Sequence, residues 1–537
     1  MARQGGRRTV RGPACRAPAL VPAVLAVVLG LWGIGRRDSM WRDESVTYQV
    51  AHRSTGELWH LLGHIDAVHG LYYLLMHAVF AVWDGGLPAL RLPSMLATAM
   101  AAAGTGVIGA RLAGRRTGVL AGLVLVLLPV TQQYAQEGRS YALVTAAVTW
   151  ATYLFLRGTG SARRRWWAGY AAVLALACWL HEFAVLALAA HALTLWRLRV
   201  PRRVLRRWAV ASAAVLAALL PLAVVSARQA DRQLGWLGRP STGQWLAYAA
   251  VAVVCVLLAR LLLPRGPARA GGDGGITRDG GGRDGEGIRD DGGEGDAGDE
   301  ADAGDEADGG DHGDSGRRTL VWLGLWLAVA PAGLLMTVSL AKPWYVDRYV
   351  IYGMTGAALL AGAALDRALA ARFRVAPAIR VPAACLAAVT AVAVLLPWSL
   401  SVRSPQSRKD DVVAVSRAVR DLARPGDAVL FLPARRREWL LSRPRLYAGL
   451  DDLALAESPA SSGTLEGTEL PAATIRRRLL AARRVVALAD PAGQPLDPYP
   501  QEAVKRDVLR RRFEVCARTR VHGAQVIVYA PAGRCAR

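Results

Sequence analysis

The chain has 537 residues, 53% hydrophobic and 20% charged, with a formal net charge of +24. Its apolar residues come in blocks of about 15 to 23, close to the ~20 that a helix needs to cross a bilayer, which excludes a soluble globular enzyme and predicts a multi-spanning membrane protein. The arginines cluster at the ends of those blocks and not on a repeated face with interleaved aromatics, so they read as topology-setting charge, with no nucleic acid among the expected partners.

In chain order, a basic stretch, 1–18, precedes the first apolar run, Ala19–Gly35. The pair has the charged and hydrophobic regions of a signal peptide, but no small-residue cleavage site follows, so the run reads as an uncleaved first span with its amino end inside. Eleven further candidates are Gly70–Trp83, Leu87–Ala110, Gly118–Thr131, Tyr141–Leu156, Trp166–Leu180, Phe183–Trp196, Trp208–Ser226, Trp245–Leu263, Leu320–Leu340, Val350–Leu365 and Val381–Leu400. The fold class is thus a polytopic α-helical membrane protein of about 11–12 segments. Positive-inside bookkeeping places the arginine-rich connections Arg111–Arg116, Arg157–Arg165, Arg197–Arg207, Arg265–Arg318 and Arg367–Arg380 in the cytoplasm. Eleven crossings satisfy that pattern and twelve do not. Gly70–Trp83, short and carrying His77, is the weakest candidate and reads as interfacial or re-entrant.

Residues Gly271–Gly316 hold 16 Asp or Glu against 3 Arg and are otherwise mostly Gly and Ala, a composition that predicts an unfolded acidic insert, residues 265–318, between two parts of a membrane core at 19–264 and 319–402. Beyond, residues 403–537 read as an α/β domain outside the cytoplasm. Val412–Leu422 has helical spacing, Ala428–Leu432 and Val485–Ala489 read as buried strands, Gln501–Arg512 as a basic helix and Gln525–Tyr529 as a last strand, which suggests a parallel or mixed sheet. Cys178, Cys255 and Cys385 lie in apolar blocks as small hydrophobes, while Cys516 and Cys535 can pair if the tail lies in an oxidising compartment.

The topology collects unusual polar residues on the outer side: Asp43 and Glu44; His64, Asp66 and His69 with Tyr72 and Tyr73; Gln136, Glu137 and Arg139; His181 and Glu182; and Asp347, Arg348 and Tyr349. Each has a plainer reading. Asp43–Glu44 serves as a polar helix start, Gln136–Arg139 as a loop with an internal ion pair, Asp347–Tyr349 as an interfacial anchor and His181–Glu182 as a hairpin turn. The spacing of His64, Asp66 and His69 matches no strong metal motif, so no metal site is assigned. Taken together, carboxylates, lone arginines and aromatic faces suit glycosyl transfer. A carboxylate takes the acceptor's proton as the hydroxyl attacks the anomeric carbon, and cations neutralise the departing phosphate. Asp43 is the first choice for the base, Glu44 for a supporting carboxylate, and Arg139 and Arg348 for the phosphate. Asp66, His69, Tyr72, Tyr73, Glu137 and Tyr349 join the two arginines as substrate-binding candidates.

W-R-D-E at Trp41–Glu44, D-x-x-H-G-x-Y-Y at Asp66–Tyr73, R-L-P-S at Arg91–Ser94, Q-E-G-R-S-Y-A-L at Gln136–Leu143 and D-R-Y at Asp347–Tyr349 together resemble the GT-C glycosyltransferases. Within them the pattern resembles the protein O-mannosyltransferase and aminoarabinose-transferase-like branch, in its actinobacterial mannosyltransferase form. The resemblance covers about Ala19–Leu400 apart from the acidic insert. It implies a GT-C-like fold, a catalytic acid in the first outer loop (Asp43, with Glu44 beside it and more loosely Asp66), a polyprenyl-phosphate sugar donor and inverting transfer on the outer face of the cytoplasmic membrane. One departure is A-V-H-G after Asp66, where many relatives have a proline-rich segment. The expected partners are the donor, a protein, lipid or glycan acceptor and membrane lipids; no cofactor is required by the sequence, a divalent cation being the one it admits. A flippase of a lipid-linked precursor is the rival class, although clear repeat halves and intramembrane charges are lacking. A membrane sensor is a third.

Overall fold

A computed structural model describes residues 16–161, 163–235, 237–263, 305–372, 377–494 and 497–535. Among the described residues six helices are long and apolar enough to cross a membrane: Ala17–Asp38, Gly86–Ala113, Arg202–Ala230, Thr242–Leu262, Asp314–Val338 and Asp347–Ala371. A seventh results if Arg115–Leu127 and Pro129–Ala135, bent by 68° at Leu128, count as one broken span. The remaining predicted crossings correspond to Tyr141–Thr159, Arg164–Leu180, Ala187–Leu198 and Pro377–Ser401. Tyr141–Thr159 is less apolar because it carries threonines, yet Thr145, Thr149 and Thr152 each return their hydroxyl proton to the carbonyl four residues back, so the helix buries them satisfied.

Small residues let the core helices approach closely. A side chain at Gly106 would meet the Pro18 carbonyl, and one at Gly118 would strike Ala110 of the facing helix, so Ala17–Leu31, Gly86–Ala113 and Arg115–Leu127 pack through glycine. The helix from the weakest candidate, Gly70–Val82, has 13 residues, so its ~20 Å length falls short of the ~30 Å hydrocarbon core. The helix Asp305–Val338 begins inside the segment expected to be unfolded. Residues 265–304, the rest of the acidic insert, lie outside the described residues, as do residue 264 and the 1–15 part of the basic amino-terminal stretch.

The carboxy-terminal part is an α/β domain with strands β1 (Ala428–Leu432), β2 (Asp451–Asp452), β3 (Leu455–Glu457), β4 (Thr468–Glu469), β5 (Val485–Ala489), β6 (Phe513–Val521) and β7 (Ala524–Pro531). Five form a mixed sheet in the order β2-β1-β5-β7-β6, with β1 parallel to β2 and β5, and β7 antiparallel to β5 and β6. β1 and β5 are buried at every position, as their continuous apolar runs require for central strands. Helix Val412–Leu422 covers one face, and Ala472–Ala481 with Pro500–Arg512 covers the other. Cys516 and Cys535 form a disulfide, and Cys178 and Cys255 are buried and free.

Candidate active site

The connections that the sequence assigned to one side converge at one end of the bundle. After Ala17–Leu31 the chain turns sharply, with Arg36, Arg37 and Asp38 at φ of 44°, 52° and 58°. Three consecutive non-glycine residues with positive φ are costly and need their surroundings to hold them. Arg36 supplies the hold: its buried guanidinium donates to the Gln136 carbonyl and lies 3.3 Å from a carboxylate oxygen of Glu44.

Glu44 is the centre of a closed knot. Arg91, from helix Gly86–Ala113, grips both of its oxygens at 2.7 Å, and the backbone N–H of Gly138 donates to it at 3.1 Å. Arg91 also donates to the carbonyls of Ile34 and Ser39, each at 2.6 Å. The side chains of Arg36, Arg91 and Glu44 are all fully enclosed. Burial alone would raise the Glu44 carboxyl, but Arg91 and Arg36 outweigh it and hold the pKa at about 2. The knot ties the first helix, the catalytic-loop candidate and the 136–140 turn together.

Asp43, one residue earlier on helix Arg42–Ala51, points elsewhere. Its carboxylate is 20% exposed and lies 3.8 Å from Arg139 and 3.5 Å from Arg348. Burial pushes its carboxyl up, yet Arg139, Arg348 and Arg42 prevail and keep it below the usual carboxylate range, hence ionised at neutral pH. Arg348 donates to the Tyr141 hydroxyl at 2.9 Å and stands over the rings of Trp41, Tyr141 and Tyr349. Arg139 donates to Thr47 at 3.4 Å and to Tyr73 at 3.3 Å, and Tyr73 in turn donates to Asp66 at 2.6 Å.

Around these groups lies an aromatic shell. His181 packs 4.4 Å from Tyr349, ring centre to ring centre, and 5.9 Å from His69, and Phe183 stacks on Tyr349. Burial, with His69, Arg348 and Arg139 adding to it, lowers the His181 pKa well below the usual imidazole value, so the ring is neutral. The Nδ1 atoms of His69 and His181 and Nε of Arg139 are buried without a protein hydrogen-bond partner.

Beside Arg348 opens a cavity of about 700 Å³. Its lining combines polar groups, Glu137, Arg348, Arg408 and Lys409 among them, with aliphatic ones that include Val130, Val251, Ala332, Val350 and Ile351. Glu137 sits 3.3 Å from Arg408, and burial raises its carboxyl to about 7 against the pull of Arg408.

The structure therefore gathers Asp43, Asp66, His69, Tyr73, Glu137, Arg139, Arg348 and Tyr349 at one place. One candidate stands apart from it: Glu44 is saturated inside its knot. Tyr72 packs its ring in an apolar cluster with Met40, Met76 and Phe80, while its buried hydroxyl, within electrostatic reach of Arg139, lacks a hydrogen-bond partner. Sequence reading assigned no role to Arg36, or to Arg91 beyond its place in the R-L-P-S motif, although both build the knot, nor to Arg408 and Lys409, which line the cavity; the polar run Ser407–Asp411 after the last apolar block was the available signal for the latter pair. Among the described residues no group of three or more His, Cys, Asp or Glu is placed to hold a metal ion.

Residues 71–227 match the family model described as dolichyl-phosphate-mannose-protein mannosyltransferase, less than half of the chain. No curated protein matches. Among solved structures, the chain is similar to ArnT from Cupriavidus metallidurans, both bound to undecaprenyl phosphate and in the apo state. Each superposition has a TM-score of 0.57 at 12% identity and covers 95% of this chain and 97% of ArnT. At that identity the likeness establishes the shared fold, membrane core and α/β domain included. With the family match and the order of the motifs, it makes the chain a membrane glycosyltransferase of GT-C architecture.

Proposed function

We propose that the chain transfers a sugar, mannose in the first instance, from a polyprenyl monophosphate to an acceptor hydroxyl outside the cytoplasmic membrane. The observation that carries this reading is the mixed lining of the cavity beside Asp43's partner Arg348: Arg348, Arg408 and Lys409 suit a phosphate, and the aliphatic residues suit an isoprenoid. The solved ArnT structure holds undecaprenyl phosphate, and the matched family model is described by a dolichyl-phosphate-mannose donor. Positive-inside bookkeeping supports an outward-facing site.

In this mechanism Asp43 accepts the proton of the acceptor hydroxyl as its oxygen bonds to the anomeric carbon. The bond from that carbon to the phosphate oxygen breaks, and the phosphate leaves with one more negative charge. Arg348, Arg408 and Lys409 offset that charge from fixed positions in the cavity lining. Arg139 keeps Asp43 ionised and ready. The unpartnered nitrogens of His69, His181 and Arg139 are suited to sugar hydroxyls, with Tyr349 offering a ring face. The geometry gives Glu44 a supporting role through position rather than through contact with the substrate.

The test is sugar transfer from radiolabelled polyprenyl-phosphate mannose in membranes containing the protein. Transfer that disappears in Asp43→Asn supports the reading. Saturable donor binding with no transfer from any polyprenyl sugar would favour the flippase instead.

A further inference from the structure

Two of the cavity's cations, Arg408 and Lys409, belong to neither a core helix nor a strand. They lie on a short strap, 407–411, between the 3-10 turn Pro405–Ser407 and helix Val412–Leu422. On its core side the strap is fixed by the guanidinium of Arg408, which donates to the Gln133 carbonyl at 2.8 Å, and by Asp410, which accepts the backbone N–H of Arg42 at 2.7 Å.

The opposite side of the strap rests on the turn between β6 and β7. His522 Nε2 donates to the Arg408 carbonyl at 2.6 Å, and the His522 carbonyl accepts the N–H of Asp411 at 3.1 Å. Gly523 follows at φ +78°, and a side chain there would come within 2.7 Å of the Asp410 Cα and 2.8 Å of the Lys409 carbonyl oxygen. The turn is itself anchored: Arg436 donates to the Gly523 carbonyl at 2.9 Å while paired with Asp490 just past β5. The central sheet, the hairpin turn and the strap thus form one continuous support ending at the cavity.

We propose that His522 and Gly523 are positioning residues for the donor, holding the strap at the height at which Arg408 and Lys409 line the cavity proposed above to take the donor phosphate. The inference rests on the donor reading above and extends it, because it makes the α/β domain part of the donor site. His522 touches no substrate; it acts through the Arg408 backbone.

The test measures, for the full chain in detergent or nanodiscs, the donor and acceptor KM, kcat, and the undecaprenyl phosphate concentration that half-inhibits transfer. His522→Phe keeps the ring volume and removes the donated hydrogen bond, and His522→Gln restores an N–H donor. The expected result is a donor KM and half-inhibitory concentration raised about tenfold in His522→Phe, a loss of the size one hydrogen bond commands, with acceptor KM unchanged. His522→Gln returns most of the loss, and Gly523→Ala acts in the same direction more strongly. Arg348→Ala serves as the reference for the donor reading. Weakened inhibition in Arg348→Ala together with wild-type values in His522→Phe overturns the positioning role and leaves the donor reading standing. Absence of inhibition by undecaprenyl phosphate in the wild type overturns both. Equal losses in both KM values and in melting temperature, unrescued by glutamine, reduce the turn to a general structural part and also overturn the proposal.

Discussion

Asp43 and Glu44 are neighbours in sequence and opposites in surroundings. Glu44 is fully enclosed and meets four donors from Arg36, Arg91 and Gly138. Asp43 keeps 20% of its side chain exposed and meets two arginines at 3.5 and 3.8 Å, beyond hydrogen-bonding distance. A carboxylate whose lone pairs are all taken has no capacity to receive a proton from a substrate. One that is held ionised by loosely placed cations has both the capacity and the access. The contrast favours Asp43 for the proposed chemistry and gives Glu44 a place in the architecture.

Substitutions can sharpen that contrast. Asp43→Asn should lower transfer by about 10²–10⁴-fold, the usual worth of a positioned base, with donor binding and folding preserved, as checked by turnover beside donor competition. Glu44→Gln should cost about 3–5 kcal/mol of stability because it leaves Arg36 and Arg91 buried and short of a counter-charge. That loss is read as a lowered melting temperature, and the folded fraction should retain turnover. Arg348→Ala should raise donor KM by about 10–100-fold, in line with a charged hydrogen bond worth ~1.5–3 kcal/mol.

The smallest effect is expected at Glu137. Its folded-state pKa is raised to about 7, against ~4.3 for an unperturbed glutamate. A carboxyl raised by folding contributes stability that is fully present below its unfolded value and is lost as pH rises through the folded one. Melting temperature should therefore decline between about pH 4.3 and 7 through this group, and Glu137→Gln should flatten that part of the profile.

Much of this was legible in the sequence. Apolar block lengths and arginine placement located the helices, and the same bookkeeping put the five polar clusters at one end, where the structure brings members of each together. The strands Ala428–Leu432 and Val485–Ala489 and helix Val412–Leu422 were legible because continuous apolar runs and helical spacing are local signals. Glu44 was not separable from Asp43, since the difference depends on Arg91, 47 residues away. The strap cations were hidden for the same reason: Arg408 faces Glu137 across 271 positions, and nothing near either residue announces the other. The broken pair Arg115–Ala135 was read as one span because its apolar pattern continues through the bend at Leu128.

The central claim is that Asp43 performs the proton transfer while Glu44 holds the scaffold. The most direct measurement is the single-turnover rate of sugar transfer per folded molecule, with donor saturating, for Asp43→Asn and Glu44→Gln side by side. A rate near zero is expected for Asp43→Asn at wild-type melting temperature, and a near wild-type rate for Glu44→Gln at a lowered one. The reverse pattern, an active Asp43→Asn and a folded but inactive Glu44→Gln, would contradict the claim.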